Sequence, residues 1–299
     1  MENWGEKING GQRVKINLVG HSFGGATVRL LTSLLEYGSE AEQTATGDET
    51  SALFQGGKGD WVNSVTALCA PHNGSSLTEI INDAGSIIGV GDTTGLLVNL
   101  CFNILGITNP VSGVYDFKLD HFDIGTVKGD ENDVADAVGE FIKVGKDNAI
   151  YDLSPDGAAE LNKTAKAVED VYYFSYVYST TKEGSLLKGQ VPVQGTFALL
   201  YPVALAMGSY TGTTDGGIVI DETWQENDGL VNVVSAKYPT GESFLPFPTE
   251  EDAEYERGVW YVSETLTGHH GTVIGLGAET ESTQKFFTDH FKMVDLLKR

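Results

Sequence analysis

A serine framed by two glycines, Gly20–Gly24 (GHSFG), is the segment of this chain best suited to do chemistry. It follows the run Val14–Val19 (VKINLV) and precedes a helical pattern. A serine on a sharp strand-to-helix turn matches the G-x-S-x-G nucleophile elbow, and the glycines suit it because Cβ atoms would clash there. The pattern predicts Ser22 as the nucleophile of an enzyme that makes and breaks ester bonds. An ordinary Gly-rich turn is the alternative.

A serine hydroxyl is a weak nucleophile, so the chain must also supply a base. Enzymes with this elbow place the residues in the order Ser, Asp or Glu, His. Two histidines, His269 and His270, lie in a loop after a candidate strand, a position that catalytic groups favour. His290 falls in a C-terminal helical pattern, where a surface or core role is expected. The residue types by themselves do not decide whether His269 or His270 is the base.

The acid that orients such a base must lie between the serine and the histidine. Asp228, in the segment Glu226–Val231 (ENDGLV), stands on a turn just before a strand-like stretch. Asp215 and Asp221 are rivals in less distinctive settings. An Asp-Gly turn without a catalytic role is the alternative reading of Asp228.

These residues need a scaffold that alternates strands with helices. Hydrophobic periodicity and turn residues predict strands at 14–19, Val62–Cys69, Tyr172–Tyr178 and Val259–Val262, helices at 23–36, 155–168 and Thr283–Leu297, a loop at 39–60, and a strand-like segment at Gly229–Val234. Strands separated by helices favour an α/β fold with a mainly parallel sheet. The apolar, glycine-punctuated region 77–107 is read by periodicity alone as buried core helix, with a movable amphipathic lid as the alternative.

Composition limits the class of protein. A length of 299 residues and a hydrophobic fraction of 40% suffice for one large domain or two small ones. The net charge of −23 argues against nucleic-acid partners and against docking on anionic membranes. No apolar run reaches about 18 residues, and Met1–Lys7 has no signal-peptide character. Cys69 and Cys101 lie in apolar stretches and are expected as buried free thiols.

Several blocks of residues occur in the order found in one family. They are VGHSFGG (19–25), SVTALCAPHNG (64–74), VYDFKLDHF (114–122), YDLSPDGAAELN (151–162), YYFSY (172–176), ENDGLVNVVS (226–235) and HGTVIG (270–275). The chain thereby resembles the secreted bacterial true lipases of the thermoalkaliphilic Bacillus/Geobacillus and staphylococcal group. The resemblance implies an α/β-hydrolase fold, a single domain over 1–299, a helical lid at about 77–107 and an insertion at about 110–150.

The resemblance also implies roles. It puts the nucleophile at Ser22, the acid at Asp228 and the base at His270, with the backbone N–H of Phe23 as an oxyanion donor. It implies a secreted triacylglycerol lipase that hydrolyses acylglycerol esters at a lipid–water interface through an acyl-enzyme. For residues 77–107 it favours a lid over the buried core helix that periodicity alone predicts. The alternatives are a carboxylesterase for soluble esters and a catalytically impaired lipase fragment.

The N-terminal part of the family's pattern has no counterpart before the elbow. That part carries the first sheet strands and the loop that gives a second oxyanion donor. We therefore expect an N-terminally incomplete domain in which strand 14–19 has an unpaired edge and exposed apolar faces.

Metal sites of the family are also incomplete here. The family's zinc is held by Asp and His side chains, of which only one position, Asp147, matches, and one carboxylate cannot form a tetrahedral site. The family's calcium carboxylates fall on Thr272 and Gly277, which leaves only a Gly195 carbonyl. We expect neither zinc nor calcium at these positions, and the ester chemistry itself requires no cofactor.

Overall fold

The computed structural model describes residues 14–87, 145–185, 189–249 and 254–298. The strands are β1 Ile16–His21, β2 Val62–Leu68, β3 Tyr172–Tyr176, β4 Tyr178–Ser179, β5 Thr181–Glu183, β6 Gln190–Pro192, β7 Gly212–Thr213, β8 Val219–Ile220, β9 Phe244–Pro246, β10 Trp260–Val262 and β11 Leu266–Thr267. The helices are α1 Phe23–Tyr37, α2 Glu40–Thr46, α3 Ser76–Ile87, α4 Ala149–Leu153, α5 Pro155–Thr164, α6 Tyr201–Met207, α7 Val233–Lys237 and α8 Thr280–Asp295. None of the helices in these ranges is long and apolar enough to cross a membrane.

A five-stranded parallel sheet forms the centre, in the order β1-β2-β3-β10-β9. Parallel neighbours need a crossover, and α1 supplies the one between β1 and β2. The α/β class and the mainly parallel sheet are thereby confirmed. The predicted lid beyond residue 87, the insertion up to residue 144 and Cys101 lie outside the described residues.

Strand β2 is buried along its whole length although its sequence includes Asn63 and Ser64. The amide of Asn63 and the hydroxyl of Ser64 both donate to the side-chain oxygen of Asn17 on β1, at 3.2 and 2.9 Å. Buried polar groups need such partners, so this contact ties the two strands that lead into the elbow.

Strand β1 forms one edge of this sheet. Its first residue, Ile16, is 37% exposed, whereas Leu18 and Val19 are half-buried. The expected exposure of the strand's apolar residues therefore holds for Ile16, whereas Leu18 and Val19 pack partly against the core.

The main core lies between the sheet and α1. Leu35 of α1 packs with Val65 of β2, Tyr173 of β3 and Trp260 of β10 in one cluster. The Tyr173 hydroxyl is not orphaned by this burial, because it accepts a hydrogen bond from the Val168 backbone N–H at 2.8 Å. The strands on which the site depends are thus fixed by large side chains beneath the sheet.

The predicted loop at 39–60 is wrong in its first part, which forms α2. The helix is capped by the Ser39 hydroxyl, which accepts from the backbone N–H of Glu42. None of its residues is buried, so no apolar periodicity marked it. The available signal was the capping-box pattern Ser39–Glu42 (SEAE).

The strand-like reading of Gly229–Val234 is also wrong. Its first residues form a turn, closed by a bridge between Asn227 and Asn232, and α7 begins at Val233. The backbone N–H groups of Leu230 and Val231 donate to the side chain of Asp228 rather than to a neighbouring strand. A side chain that captures backbone donors competes with a sheet ladder.

Helix α8 buries His290 against the opposite side of the core. The His290 ring bonds the Thr66 hydroxyl at 2.9 Å and the Tyr176 hydroxyl at 3.1 Å. Burial lowers the pKa of His290 to about 4. His290 therefore has the core role that its helical context indicated.

Acid should destabilise the fold through His290. In the unfolded chain this imidazole takes up a proton below a pKa of about 6.5, whereas in the fold it does so only near pH 4. Stability is therefore complete above about pH 6.5 and falls as the pH drops toward 4, by on the order of 3 kcal/mol from this group. Urea unfolding at a series of pH values measures it. His290→Gln should flatten the acid slope, and an unchanged slope would contradict the assignment.

Candidate active site

Ser22 sits on the turn between β1 and α1 with a strained backbone. Its φ of 57° and ψ of −131° are rare for a residue other than glycine. The Ser22 N–H donates to the Leu68 carbonyl at 2.9 Å, and the Ser22 carbonyl accepts from the Gly25 N–H at 2.9 Å. These bonds hold the turn at the carboxyl end of the parallel strands, where α/β folds place their ligands.

Two glycines make this turn possible by close packing. A Cβ atom on Gly20 would lie 2.2 Å from the Gly24 carbonyl oxygen, and one on Gly25 would lie 2.4 Å from the Cβ of Ala70. A Cβ on Gly24 would meet nothing within 4 Å. The crowded positions are therefore Gly20 and Gly25, although Gly24 completes the sequence pattern.

Asp228 is held rigidly in the turn before α7. One carboxylate oxygen accepts from the backbone N–H groups of Leu230 and Val231 at 3.0 and 2.8 Å. The other lies 2.8 Å from Nδ1 of His270. The Asp228 backbone carbonyl also accepts from the His270 N–H at 2.8 Å. The aspartate therefore fixes both the ring and the backbone of His270.

His270 has the tautomer required of a base. An ionised carboxylate can only accept, so Nδ1 of His270 donates to it, and in the neutral ring Nε2 then has the lone pair. Both side chains are at least 95% buried, at 5% exposure for His270 and 1% for Asp228. The pair is thus shielded from competing water.

His21 links this pair to the elbow. Its Nε2 donates to the His270 carbonyl at 2.8 Å, and the two rings lie 4.7 Å apart, centre to centre. Because His21 directly precedes Ser22, this contact brings the His270 loop against the serine turn. Burial, followed by the charge of His270, lowers the pKa of His21. Sequence reasoning missed this residue, and its only signal was a histidine inside the elbow pattern.

His269 takes a different position from its neighbour. Its ring stacks on Phe197 at 5.5 Å, and its Nδ1 accepts from the Gly271 N–H at 3.2 Å. Burial lowers the pKa of His269, which favours the neutral ring that this acceptance requires. His270, and not His269, therefore contacts Asp228.

The two rival acids differ from Asp228 in their exposure to solvent. Asp215 and Asp221 are both exposed. Asp221 accepts from the backbone N–H and hydroxyl of Thr223, which is a local turn role.

Cys69 is a further buried group at this place. It follows β2 directly, has a φ of 52° and is fully buried as a free thiol. Burial, together with the neighbouring carboxylate of Asp228, raises the pKa of its thiol well above the ordinary value. The predicted buried thiol is therefore confirmed for Cys69.

Phe23 is the first residue of α1. Backbone N–H groups in the first turn of a helix have no acceptor within it, and the helix dipole favours negative charge there. The Phe23 N–H is thus placed where an oxyanion could be bound next to Ser22.

The residues matched to metal positions have local roles. Asp147 precedes α4, whose first turn is capped by Asn148. The Thr272 hydroxyl accepts from the His269 N–H at 2.9 Å, and Gly277 has a φ of 66° beside the His269 ring. Gly195 is likewise a positive-φ glycine.

Known proteins resemble the chain over most of its length. Residues 2–296 match the family model described as "Lipase-like, C-terminal domain". A lipase of Staphylococcus hyicus is 30% identical over 266 residues, which cover 87% of this chain and 38% of that lipase. Lipase 2 of Staphylococcus aureus is 30% identical over 275 residues, covering 88% of this chain and 36% of the relative. The chain therefore spans little more than a third of the length of these relatives.

Solved structures show the same fold. EstA from Clostridium botulinum superposes with a TM-score of 0.74 at 32% identity, over 92% of this chain and 64% of that one. Lipase 1 from Pelosinus fermentans superposes with a TM-score of 0.72 at 34% identity, over 97% of this chain and 74% of that one. The lipase of Staphylococcus hyicus superposes with a TM-score of 0.69 at 26% identity, over 94% of this chain and 70% of that one.

Alanine at the two adjacent glycines of the elbow should have opposite effects. Gly25→Ala forces a Cβ against Ala70 and should destabilise the fold by about 1–3 kcal/mol. Gly24→Ala enters open space in a helical turn, so it should be neutral or stabilise by up to about 1 kcal/mol. Urea unfolding of the two variants compares them directly. Equal destabilisation by both would contradict the packing argument.

Proposed function

The chain belongs to the lipase-like, C-terminal domain family, and from this premise we propose that it is a serine ester hydrolase. The observation that carries the proposal is the buried contact of 2.8 Å between His270 and Asp228. It stands beside a serine on a strained strand-to-helix turn, to which His21 connects it. These are the parts of a Ser-His-Asp arrangement.

In the proposed mechanism Nε2 of His270 takes the hydroxyl proton of Ser22 as its oxygen attacks the ester carbonyl. Asp228 holds the ring and stabilises its protonated form. The protonated ring then gives its proton to the departing alcohol, which leaves an acyl-enzyme. Water, deprotonated by the same ring, hydrolyses this intermediate and regenerates Ser22. The nucleophile, base and acid in these proposed steps are side chains of the protein, so the steps as written use no metal.

The tetrahedral intermediate carries a negative oxygen that needs donors. We assign the Phe23 N–H as one of them, because it begins α1 directly after the nucleophile. Within the described ranges the Ser22 hydroxyl makes no hydrogen bond to His270. Such bonds commonly tighten only when substrate is bound.

We further propose acylglycerols as the substrate class, since the two matched staphylococcal relatives are lipases. An apolar surface supports this. Three apolar side chains in or just before α6 are each more than a third exposed, namely Leu199, Tyr201 and Leu205. Helix α6 packs on α3 through Leu77. Helix α3 forms the first part of the predicted lid, so this surface suits acyl chains at a lipid–water interface. Secretion, implied by the resemblance, stays a prediction.

The nucleophile can be tested by covalent labelling. An organophosphonate ester should attach to the folded protein at Ser22, because only an activated serine attacks it. Ser22→Ala should abolish labelling and lower kcat on a soluble p-nitrophenyl ester by at least about 10³. Intact-protein and peptide mass spectrometry locate the label.

Matched variants separate the roles in this test. Ser282→Ala, at an exposed serine of α8, should label normally. Asp228→Asn preserves shape but favours the wrong tautomer of His270, and should lower kcat by about 10⁴. Asp221→Asn, at the exposed rival acid, should leave kcat unchanged. If the folded wild-type protein resists labelling, the proposed ester hydrolase activity is wrong and a catalytically impaired lipase fragment is favoured.

The two ester classes differ in their dependence on substrate concentration. A lid-gated lipase should show a sharp rise in rate once a short-chain triacylglycerol exceeds its solubility limit, because the interface opens the lid. Initial rates on both sides of that limit measure it. Saturation well below the limit, with no further rise, would instead identify a carboxylesterase for soluble esters.

A further inference from the structure

Three side chains that suit a metal ion converge beside the nucleophile. One ligand atom each from His21, Cys69 and His270 lie within 4.8 Å of one another. The proposed mechanism uses only His270 among them. The cluster arises from topology, because β1 ends in His21 and its parallel neighbour β2 is followed directly by Cys69. The His270 loop reaches the same edge of the sheet.

The donor set favours borderline transition-metal ions such as zinc over hard cations. A thiolate with two imidazoles suits zinc, whereas magnesium and calcium prefer oxygen ligands. Tetrahedral zinc with bonds of about 2.0–2.3 Å separates its ligand atoms by about 3.4–3.6 Å. Atoms at the 4.8 Å limit must therefore approach by about 1.2–1.4 Å when the metal binds.

Each imidazole retains a nitrogen for a metal. His21 donates through Nε2 to the His270 carbonyl, so its Nδ1 has a lone pair. His270 donates through Nδ1 to Asp228, so its Nε2 has one. Metal-binding histidines typically donate their second nitrogen to a carboxylate or a carbonyl, which fixes the ring orientation. Both outer partners are already in place here.

We propose that His21, Cys69 and His270 bind one Zn²⁺ ion, which reversibly blocks hydrolysis. Binding releases the thiol proton of Cys69 to solvent and forms a bond to sulfur and one to each ring. The ion occupies the Nε2 lone pair that must accept the Ser22 proton. The inhibition rests on the proposed function, whereas the binding does not. This site shares no residue with Asp147, the position matched to the family's zinc.

The binding test uses Co²⁺ as a spectroscopic probe and then Zn²⁺ in competition. The full chain, freed of metal by chelator, is titrated in excess Mg²⁺ so that the many surface carboxylates are occupied. We expect one equivalent of Co²⁺ to give a thiolate-to-metal charge-transfer band, which one equivalent of Zn²⁺ abolishes. Loss of an outer partner alone weakens metal sites by about 10–100-fold, so loss of a ligand should weaken binding at least tenfold.

Variants identify the ligands. Cys69→Ser keeps a small polar side chain but should lose the band, and His21→Gln should weaken binding at least about tenfold. Asp147→Asn should bind like the wild type. In parallel, Zn²⁺ should inhibit ester hydrolysis, with reversal by chelator, and each variant is compared with its own metal-free rate. Cys69→Ser should resist inhibition at least about tenfold.

Specific results would overturn the site. Absence of a charge-transfer band, or equal affinity in Cys69→Ser and wild type, would exclude a Cys69 ligand. Weakening by Asp147→Asn alone would place the metal at the other position. Tight binding without inhibition would refute the blocking role. A chain that binds metal as described but never hydrolyses esters would instead count against the proposed function, so the two failures are distinguishable.

Discussion

The strained turn at Ser22 is the constraint on which the site depends. A serine with φ of 57° is held there only because its neighbours leave no alternative. Strand β2 supplies an acceptor at Leu68, and α1 packs against the sheet so tightly that neither Gly20 nor Gly25 has room for a Cβ. Helix α1 begins at Phe23, so the Phe23 N–H directly follows the serine. The proposed nucleophile, Ser22, and the proposed oxyanion donor, Phe23, therefore belong to one structural feature.

The proposed acid and base depend on a second feature, the turn at Asp228. Its carboxylate satisfies two backbone donors of its own turn and still reaches His270. This fixed carboxylate sets the tautomer of the ring, while the backbone bond between the two residues sets the position of the loop. The bond from His21 then joins this loop to the elbow. The geometry of the candidate site is thus produced by contacts between loops at the carboxyl edge of the sheet.

Much of this arrangement was predictable from sequence. The elbow has a local signature, because the turn needs particular residues within five positions, and the strands and helices beside it show clear periodicity. The polar helix α2 and the turn at Gly229–Val234 were not predicted correctly, for opposite reasons. Helix α2 buries none of its residues and so has no hydrophobic pattern. The turn at Gly229–Val234 has strand-like residues, but the side chain of Asp228 accepts hydrogen bonds from its backbone N–H groups.

The sequence by itself determined the chemistry-bearing residue types, the α/β class and, through ordered blocks, the family. It did not separate His269 from His270 by residue type, since both lie in one loop. The family resemblance pointed to His270, and the tertiary structure shows the contact itself, because pairing with Asp228 joins segments far apart in the chain. The same holds for His21 and Cys69, whose convergence follows from the register of two parallel strands. Local conformation follows from neighbouring residues, whereas distances between loops follow from how the sheet assembles.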